Sequence, residues 1–245
     1  MGAIGGRSER AFYLYYSVGD CRAGKNHHLR VAIANAPEGP YTDTGTPLLV
    51  PDDDEVFVFD THPFQDTDGS WYLLYNRNYL AEDPETNGRA GDAIVMRRLL
   101  DMTCLSTEFW PVTRPFADWQ RGPGRVYNGV PVDWHTNEGG CVVLRNGVYY
   151  CFYSGSAWHT ANYGVDYVIS DRITGPYRSD NPNETPRVLR AIPDVLHGPG
   201  HNTLVTGPDG KTDYIVFHAW DEAMQNRQMY IEPIAWTNDG PRLAC

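Results

Sequence analysis

The chain has 245 residues, 21% of them charged, and a formal net charge of −11. That composition belongs to a globular chain rather than a disordered one, and an acidic balance argues against a nucleic-acid or anionic-membrane partner. No apolar run reaches the roughly 18 residues of a membrane-spanning helix. The distinctive excess is aromatic: 7 Trp, 16 Tyr and 8 Phe, set among 24 Gly and 18 Pro. Aromatic strands punctuated by turn residues point to an all-β chain, and surplus Trp and Tyr point to a sugar-binding cleft.

In chain order, the opening M-G-A-I-G-G-R-S-E-R has no apolar core and no cleavage site, so it does not read as a signal peptide. Residues 1–10 are expected to be an unstructured lead-in to the strand A-F-Y-L-Y-Y-S, which begins at Ala11. From there a unit recurs: a strand, a Gly turn, a Tyr-rich strand, a loop, a third strand and a closing turn. The first copy supplies Phe12–Ser17 and Leu29–Ala34 and closes on Glu38-Gly39-Pro40-Tyr41, with no opening strand. His27-His28 is expected in an exposed loop. The second copy begins F-D-T-H-P-F-Q-D-T-D-G-S-W-Y-L-L-Y-N at Phe59, with Asp68-Gly69 as its hairpin turn. Glu82–Gly91 reads as a polar loop, Asp92–Arg98 as the third strand, and Arg97–Leu105 as a candidate helical turn.

Trp119–Pro131 is a long Gly/Pro loop that is expected to border a site. The third copy, N-E-G-G-C-V-V-L-R-N-G-V-Y-Y-C-F-Y-S, turns at Asn146-Gly147, continues as Val165–Ser170 and closes on Thr174-Gly175-Pro176-Tyr177. Asp180–Pro186 reads as a second polar loop. The fourth copy, G-H-N-T-L-V-T-G-P-D-G-K-T-D-Y-I-V-F-H, turns at Pro208-Asp209-Gly210 and ends with Gln228–Ile234. Units of roughly 40–60 residues with about four strands each are the signature of propeller blades. A sandwich with irregular hairpins is the other arrangement such strands allow. No linker or composition shift divides the chain, so residues 1–245 read as one domain. The five cysteines, Cys21, Cys104, Cys141, Cys151 and Cys245, form no C-x-x-C pair. A zinc site is therefore not expected, and Cys141 and Cys151 read as core thiols on paired strands.

The opening strand of a blade lines the central channel, and these strands carry Asp60, Glu138 and His201 at equivalent places in the repeat. Each alone has a plain reading, as a turn cap, a rim charge or a core histidine. Together, two carboxyls and an imidazole in an aromatic pocket suit acid–base chemistry, and glycoside hydrolysis in particular. Arg227 is placed to hold a sugar hydroxyl or carboxyl, or to be a surface arginine. Trp71, Trp134, Trp158, Tyr163 and Trp220 are candidate stacking walls. G-x-S-x-G, G-x-x-x-x-G-K-[ST] and H-E-x-x-H are all absent from the sequence.

These segments resemble glycoside hydrolase family 43 from about Phe12 to Leu243, most specifically in F-D-T-H-P-F, N-E-G-G, G-P-G-H-N-T-L-V with V-F-H-A-W-D, and R-Q-M-Y-I-E-P-I-A-W-T-N-D-G-P. The resemblance implies a five-bladed β-propeller that acts by inversion on arabinose- or xylose-containing plant polysaccharides or oligosaccharides. It implies Glu138 as general acid, Asp60 as the carboxylate that tunes and orients it, Arg227 as a substrate contact and His201 as the axial histidine beneath the sugar site; Trp158 and Tyr163, from the aromatic reading above, are expected to bind substrate beside them. It also implies His201 as a possible direct or water-mediated ligand of a central calcium.

The family's general base, an Asp usually followed by Pro on the first blade, has no counterpart. Asp83-Pro84 lies in a polar loop, and Asp20 and Asp133 have no positional argument. The sequence is thus expected to be an N-terminally incomplete propeller of about four blades that lacks the base. The alternative is a non-catalytic carbohydrate-binding remnant. Exposed blade faces suit a homo-oligomer, and a polysaccharide substrate favours an extracellular setting.

Overall fold

The computed structural model describes residues 5–8, 11–20, 25–51, 57–80, 88–127, 129–181 and 185–244. The strand and hairpin patterns form antiparallel sheets that follow one another along the chain. The first contains β1 (Gly5–Ser8), β2 (Ala11–Asp20), β3 (Lys25–Ala34) and β4 (Thr42–Asp43) in that order. The second contains β5 (Val58–Gln65), β6 (Trp71–Tyr79), β7 (Gly91–Asp101) and β8 (Cys104–Thr113). A short ribbon of β9 (Arg125–Tyr127) and β10 (Val130–Val132) precedes the third antiparallel group of β11 (His135–Arg145), β12 (Val148–Gly155) and β13 (Gly164–Ser170), which a short parallel pairing of β11 with β7 joins to the second as one seven-stranded sheet. The last contains β14 (His197–Thr206), β15 (Asp213–Trp220), β16 (Arg227–Thr237) and β17 (Gly240–Leu243).

Turn chemistry explains the hairpins. Asn146 and Gly147 have φ of 51° and 78°, and they link Arg145 and Val148, which face each other across β11 and β12. Two positive φ values in a two-residue loop make the turn whose twist matches the flanking strands. Tyr41 and Tyr177 close their copies alike, each hydroxyl donating to the carbonyl four residues back at 3.0 Å. The sheets pack face to face through three apolar clusters. Tyr15, Leu29 and Val31 meet Leu73, Tyr75 and Val95 between the first and second sheets. Leu74, Ile94 and Met96 meet Val142, Cys151 and Tyr153 between the second and third. Cys141, Phe152 and Val165 meet Ile215, Phe217 and Ile234 between the third and last. Alternate residues of a strand face opposite sides, so Leu73 and Leu74 serve neighbouring clusters.

Several expectations are corrected. The lead-in contains β1, which pairs with β2 through Arg7 opposite Phe12, so the first sheet does have an opening strand. Arg97–Leu105 is not a helical turn: it is the end of β7, a reversal at Met102-Thr103 and the start of β8, with Asp101 paired to Cys104. Helix is confined, among the described residues, to a 3-10 turn at Asp118–Gln120. His27 is not in an exposed loop. It lies buried on β3 with its ring 4.4 Å from that of Phe57. Cys141 and Cys151 are buried free thiols on paired strands. Cys21, Cys245 and Asp83-Pro84 lie outside the described residues.

Candidate active site

The opening strands β5, β11 and β14 break register at the same place. Phe59, Glu138 and Gly200 pair normally, and pairing resumes at His62, Cys141 and Thr203. Two residues therefore face one across each hairpin, as in a β-bulge that re-aims a side chain. The first residue of each bulge is left-handed, with φ of 51° at Asp60, 64° at Gly139 and 52° at His201. Non-glycine residues held there store strain of about 1–3 kcal/mol, a cost concentrated at functional sites. This refines the repeat equivalence. Asp60 and His201 share a position with Gly139, and Glu138 stands one residue earlier, level with Phe59 and Gly200. A Cβ on Gly139 would make only ordinary contact with the His201 ring, at 3.4 Å, so it is the left-handed φ that favours glycine there.

The three predicted groups converge. His201 Nδ1 lies 3.9 Å from Asp60 Oδ2. Tyr163 donates its hydroxyl proton to Glu138 Oε1 at 2.6 Å. Ser154, opposite Glu138 in the ladder, accepts the His201 amide at 2.7 Å. Asn76 grips the backbone on both sides of Glu138: its Nδ2 donates to the Asn137 carbonyl at 2.6 Å, and its Oδ1 accepts the Gly139 amide at 3.1 Å. Burial, then the neighbouring Asp60 charge, raises the Glu138 carboxyl to about 7, against the pull of His201 and the Tyr163 hydrogen bond. Asp60 is raised as well, by burial first and Asp92 after it. Burial lowers His201, against the pull of the Glu138 charge.

The wall is aromatic and cationic. The His218 ring stacks on Tyr163 at 5.8 Å and on His201 at 6.3 Å. The Arg227 guanidinium lies 3.5 Å from His218 Nε2 and sits over the Trp158 ring at 4.7 Å. Trp158 and Trp220 are stacked at 6.0 Å, and the Trp220 indole N–H donates to the Trp158 carbonyl. A half-exposed Trp158 beside a guanidinium is a surface for the apolar face and hydroxyls of a sugar ring. A carboxyl that keeps its proton near neutral pH below that wall is equipped to protonate a leaving oxygen.

The family model for glycosyl hydrolases family 43 matches residues 7–241. The chain belongs to glycosyl hydrolase family 43. It is 32% identical over 212 residues to a β-D-galactofuranosidase of Aspergillus niger, covering 86% of this chain and 51% of that one. It is 22% identical to an extracellular exo-α-(1→5)-L-arabinofuranosidase of Streptomyces avermitilis, covering 94% and 46%. The chain thus spans about half the length of these curated relatives. Among solved structures, a thermostable family-43 glycoside hydrolase superimposes with a TM-score of 0.78 at 23% identity, covering 99% of this chain and 74% of that one. An α-L-arabinofuranosidase from Lactobacillus brevis gives 0.76 at 22% identity, covering 99% and 75%. Such solved relatives are five-bladed propellers, and these sheets share their fold.

Within this family-43 fold the other expected residues separate. Tyr163 is fully buried and holds Glu138 instead of facing a substrate. Trp134 is buried too, its indole N–H donating to Asp92 at 2.9 Å. Trp71 pairs with Gln65 at the far end of the β5–β6 hairpin from Asp60, so it is not part of the site. The Trp119–Pro131 segment overlaps the 3-10 turn and the β9–β10 ribbon, and its Arg125 lies 3.8 Å from Asp92. Asn76, Ser154, His218 and Asp92 had no signal of their own in the sequence, because their roles depend on pairing across sheets. Among the described residues no three His, Cys, Asp or Glu side chains come together as a metal site. Calcium takes six to eight oxygens. The His201 imidazole and its two neighbouring carboxyls do not supply them, so a calcium beside His201 would draw most of its shell from water.

Tyr163→Phe removes a hydrogen bond that favours ionised Glu138. Glu138 is expected to keep its proton to higher pH in this variant, read from its carboxyl carbon-13 shift. An unchanged midpoint would show that the hydroxyl does not act on Glu138.

Proposed function

We propose that this chain provides the acid side of an inverting glycosidase, with Glu138 donating its proton to the glycosidic oxygen as the sugar C–O bond breaks. The observation that carries the reading is the buried Glu138 carboxyl, held by Tyr163 and raised to about 7 by burial and Asp60. Asp60 keeps the acid protonated, and Arg227 with Trp158 receives the sugar. The substrate class is arabinose- or xylose-containing oligo- or polysaccharide. The name of the Aspergillus niger relative adds galactofuranosides, and that of the Streptomyces avermitilis relative supports an extracellular setting.

Inversion needs a second carboxylate to take a proton from the attacking water on the far side of the ring. In this reading no carboxylate among the described residues is placed as that base. Asp133 is exposed and paired to Arg121 at 2.6 Å, and Asp92 is engaged with Trp134. The second reading, sugar binding without turnover, is favoured by the engagement of Asp133 with Arg121 and of Asp92 with Trp134.

Aryl α-L-arabinofuranoside, β-D-xyloside and β-D-galactofuranoside hydrolysis by wild type and Glu138→Gln tests both readings. A general acid contributes on the order of 10²–10⁴-fold, so any turnover by wild type should fall by about that much. Equal turnover by the variant rejects Glu138 as the acid. Calorimetric sugar binding with no turnover in either protein selects the binding reading.

A further inference from the structure

We propose that Asp92 is a positioning residue for Glu138, anchoring the strand that delivers it and adding a negative charge beside it. The inference rests on reading Glu138 as the acid. Asp92 is the second residue of β7 and is 1% exposed. Just here β7 is still paired with β6, Asp92 facing Asn78, and on its other edge, before the β8 pairing begins at Ile94, it pairs in parallel with β11, with Gly91 opposite His135 and Asp92 opposite Thr136. Asp92 Oδ2 accepts the Trp134 indole N–H at 2.9 Å and the Thr136 hydroxyl at 3.2 Å. One oxygen thus holds two side chains of the segment that presents Glu138 two residues later. Arg125 covers the anchor, its guanidinium 4.5 Å from the Trp134 ring centre.

The ladders show why this position matters. Ile94 faces Asn76, and Val165 faces Ser154. Counting two residues back from each reaches Asp92 and Tyr163, so the two occupy the same place in successive sheets. Tyr163 holds Glu138 directly from one side. Asp92 holds its approach strand from the other.

An asparagine would accept the same two bonds. What the aspartate adds is charge, and its other oxygen, Oδ1, is buried with no hydrogen-bond partner. Leaving that oxygen unpartnered is costly, which a purely structural anchor would not require. Its charge adds to that of Asp60 in opposing ionisation of Glu138. The groups acting on Glu138 are then Asp60 from β5, Asp92 from β7, His201 from β14 and Tyr163 just before β13. Arg125 of β9 faces Asp92.

Asp92→Asn and Asp92→Ala separate the two parts. The readouts are the Trp134 indole N–H resonance and the carboxyl carbon-13 titration of Glu138, assigned with Glu138→Gln. The asparagine variant should keep the indole resonance while the Glu138 midpoint falls, by less than the removal of the Asp60 charge would lower it. The alanine variant should lose the indole hydrogen bond as well. An unmoved midpoint in Asp92→Asn overturns the charge role, and an unmoved indole resonance in Asp92→Ala overturns the anchor. Asp92→Asn is isosteric, so it carries the test if the alanine variant does not fold. Neither readout involves hydrolysis, so a failed acid assignment in the turnover assay and a failed role for Asp92 are distinguishable.

Discussion

Gly91→Ala is expected to destabilise the protein by about 3 kcal/mol or more, a large part of the stability of an ordinary domain. A Cβ at Gly91 would lie 1.8 Å from the His135 carbonyl oxygen and 2.7 Å from its carbon. Both partners are backbone, so no side chain can swing aside. The parallel pairing of β7 with β11 would have to open, and Asp92 would move away from Trp134 and Thr136. Gly69→Ala is the control: nothing lies within 4 Å of its added Cβ, and only its φ of 86° is strained. Urea unfolding of the two variants should show a large loss for position 91 and a loss of about 1 kcal/mol for position 69. Equal midpoints for Gly91→Ala and wild type would mean that the β7–β11 junction does not have this geometry.

The second large effect is a pH-dependent difference between wild type and Glu138→Gln. Glu138 is raised from an ordinary 4.5 to about 7 in the folded protein. The native state therefore holds this proton more tightly than the unfolded chain does. Its contribution to stability is fully present below about pH 4.5 and is lost as pH rises through about 7. Histidines complicate the raw profile. His62 and His218 are each lowered to about 4 by burial. They gain stability as pH rises through the same window, opposing Glu138.

The difference between variant and wild type cancels His62 and His218, on neither of which Glu138 acts. The substituted glutamine carries no proton to lose and can still accept from Tyr163. Between about pH 5 and about pH 8 the variant should gain on wild type by on the order of 2 kcal/mol. A difference that stays constant across the range would show that Glu138 is not raised.

Legibility in the sequence varies with how local the physics is. The Asn146-Gly147 hairpin is legible because its two positive φ values are a property of those two residues. The convergence of Asp60, Glu138 and His201 is legible because three copies of one unit place like strands alike. The offset of Glu138 by one residue is not, since all three copies bulge and only the cross-strand pairing locates the bulge. Tyr163 illustrates the same limit. An aromatic residue near a sugar site reads as a stacking wall, yet its complete burial turns its hydroxyl toward Glu138. Arg97–Leu105 reads wrongly as a helical turn because its apolar and basic residues carry no clear period, and pairing to β8 decides them.

Length, charge and aromatic excess mark an acidic globular chain, and the sequence by itself determined more than that. It determined the all-β class, the hairpins, the order of the repeats and the acid–base candidates. These follow from turn chemistry, strand patterning and side-chain type, which act over a few residues. Only the tertiary structure decided which carboxyl is buried, that Tyr163 and Asp92 approach Glu138 from two sides, and that Trp71 and Trp134 are not sugar walls. Burial and cross-sheet pairing arise between residues far apart in the chain, such as Asp92 and Trp134 or Asn76 and Gly139, and no short stretch of sequence contains both partners.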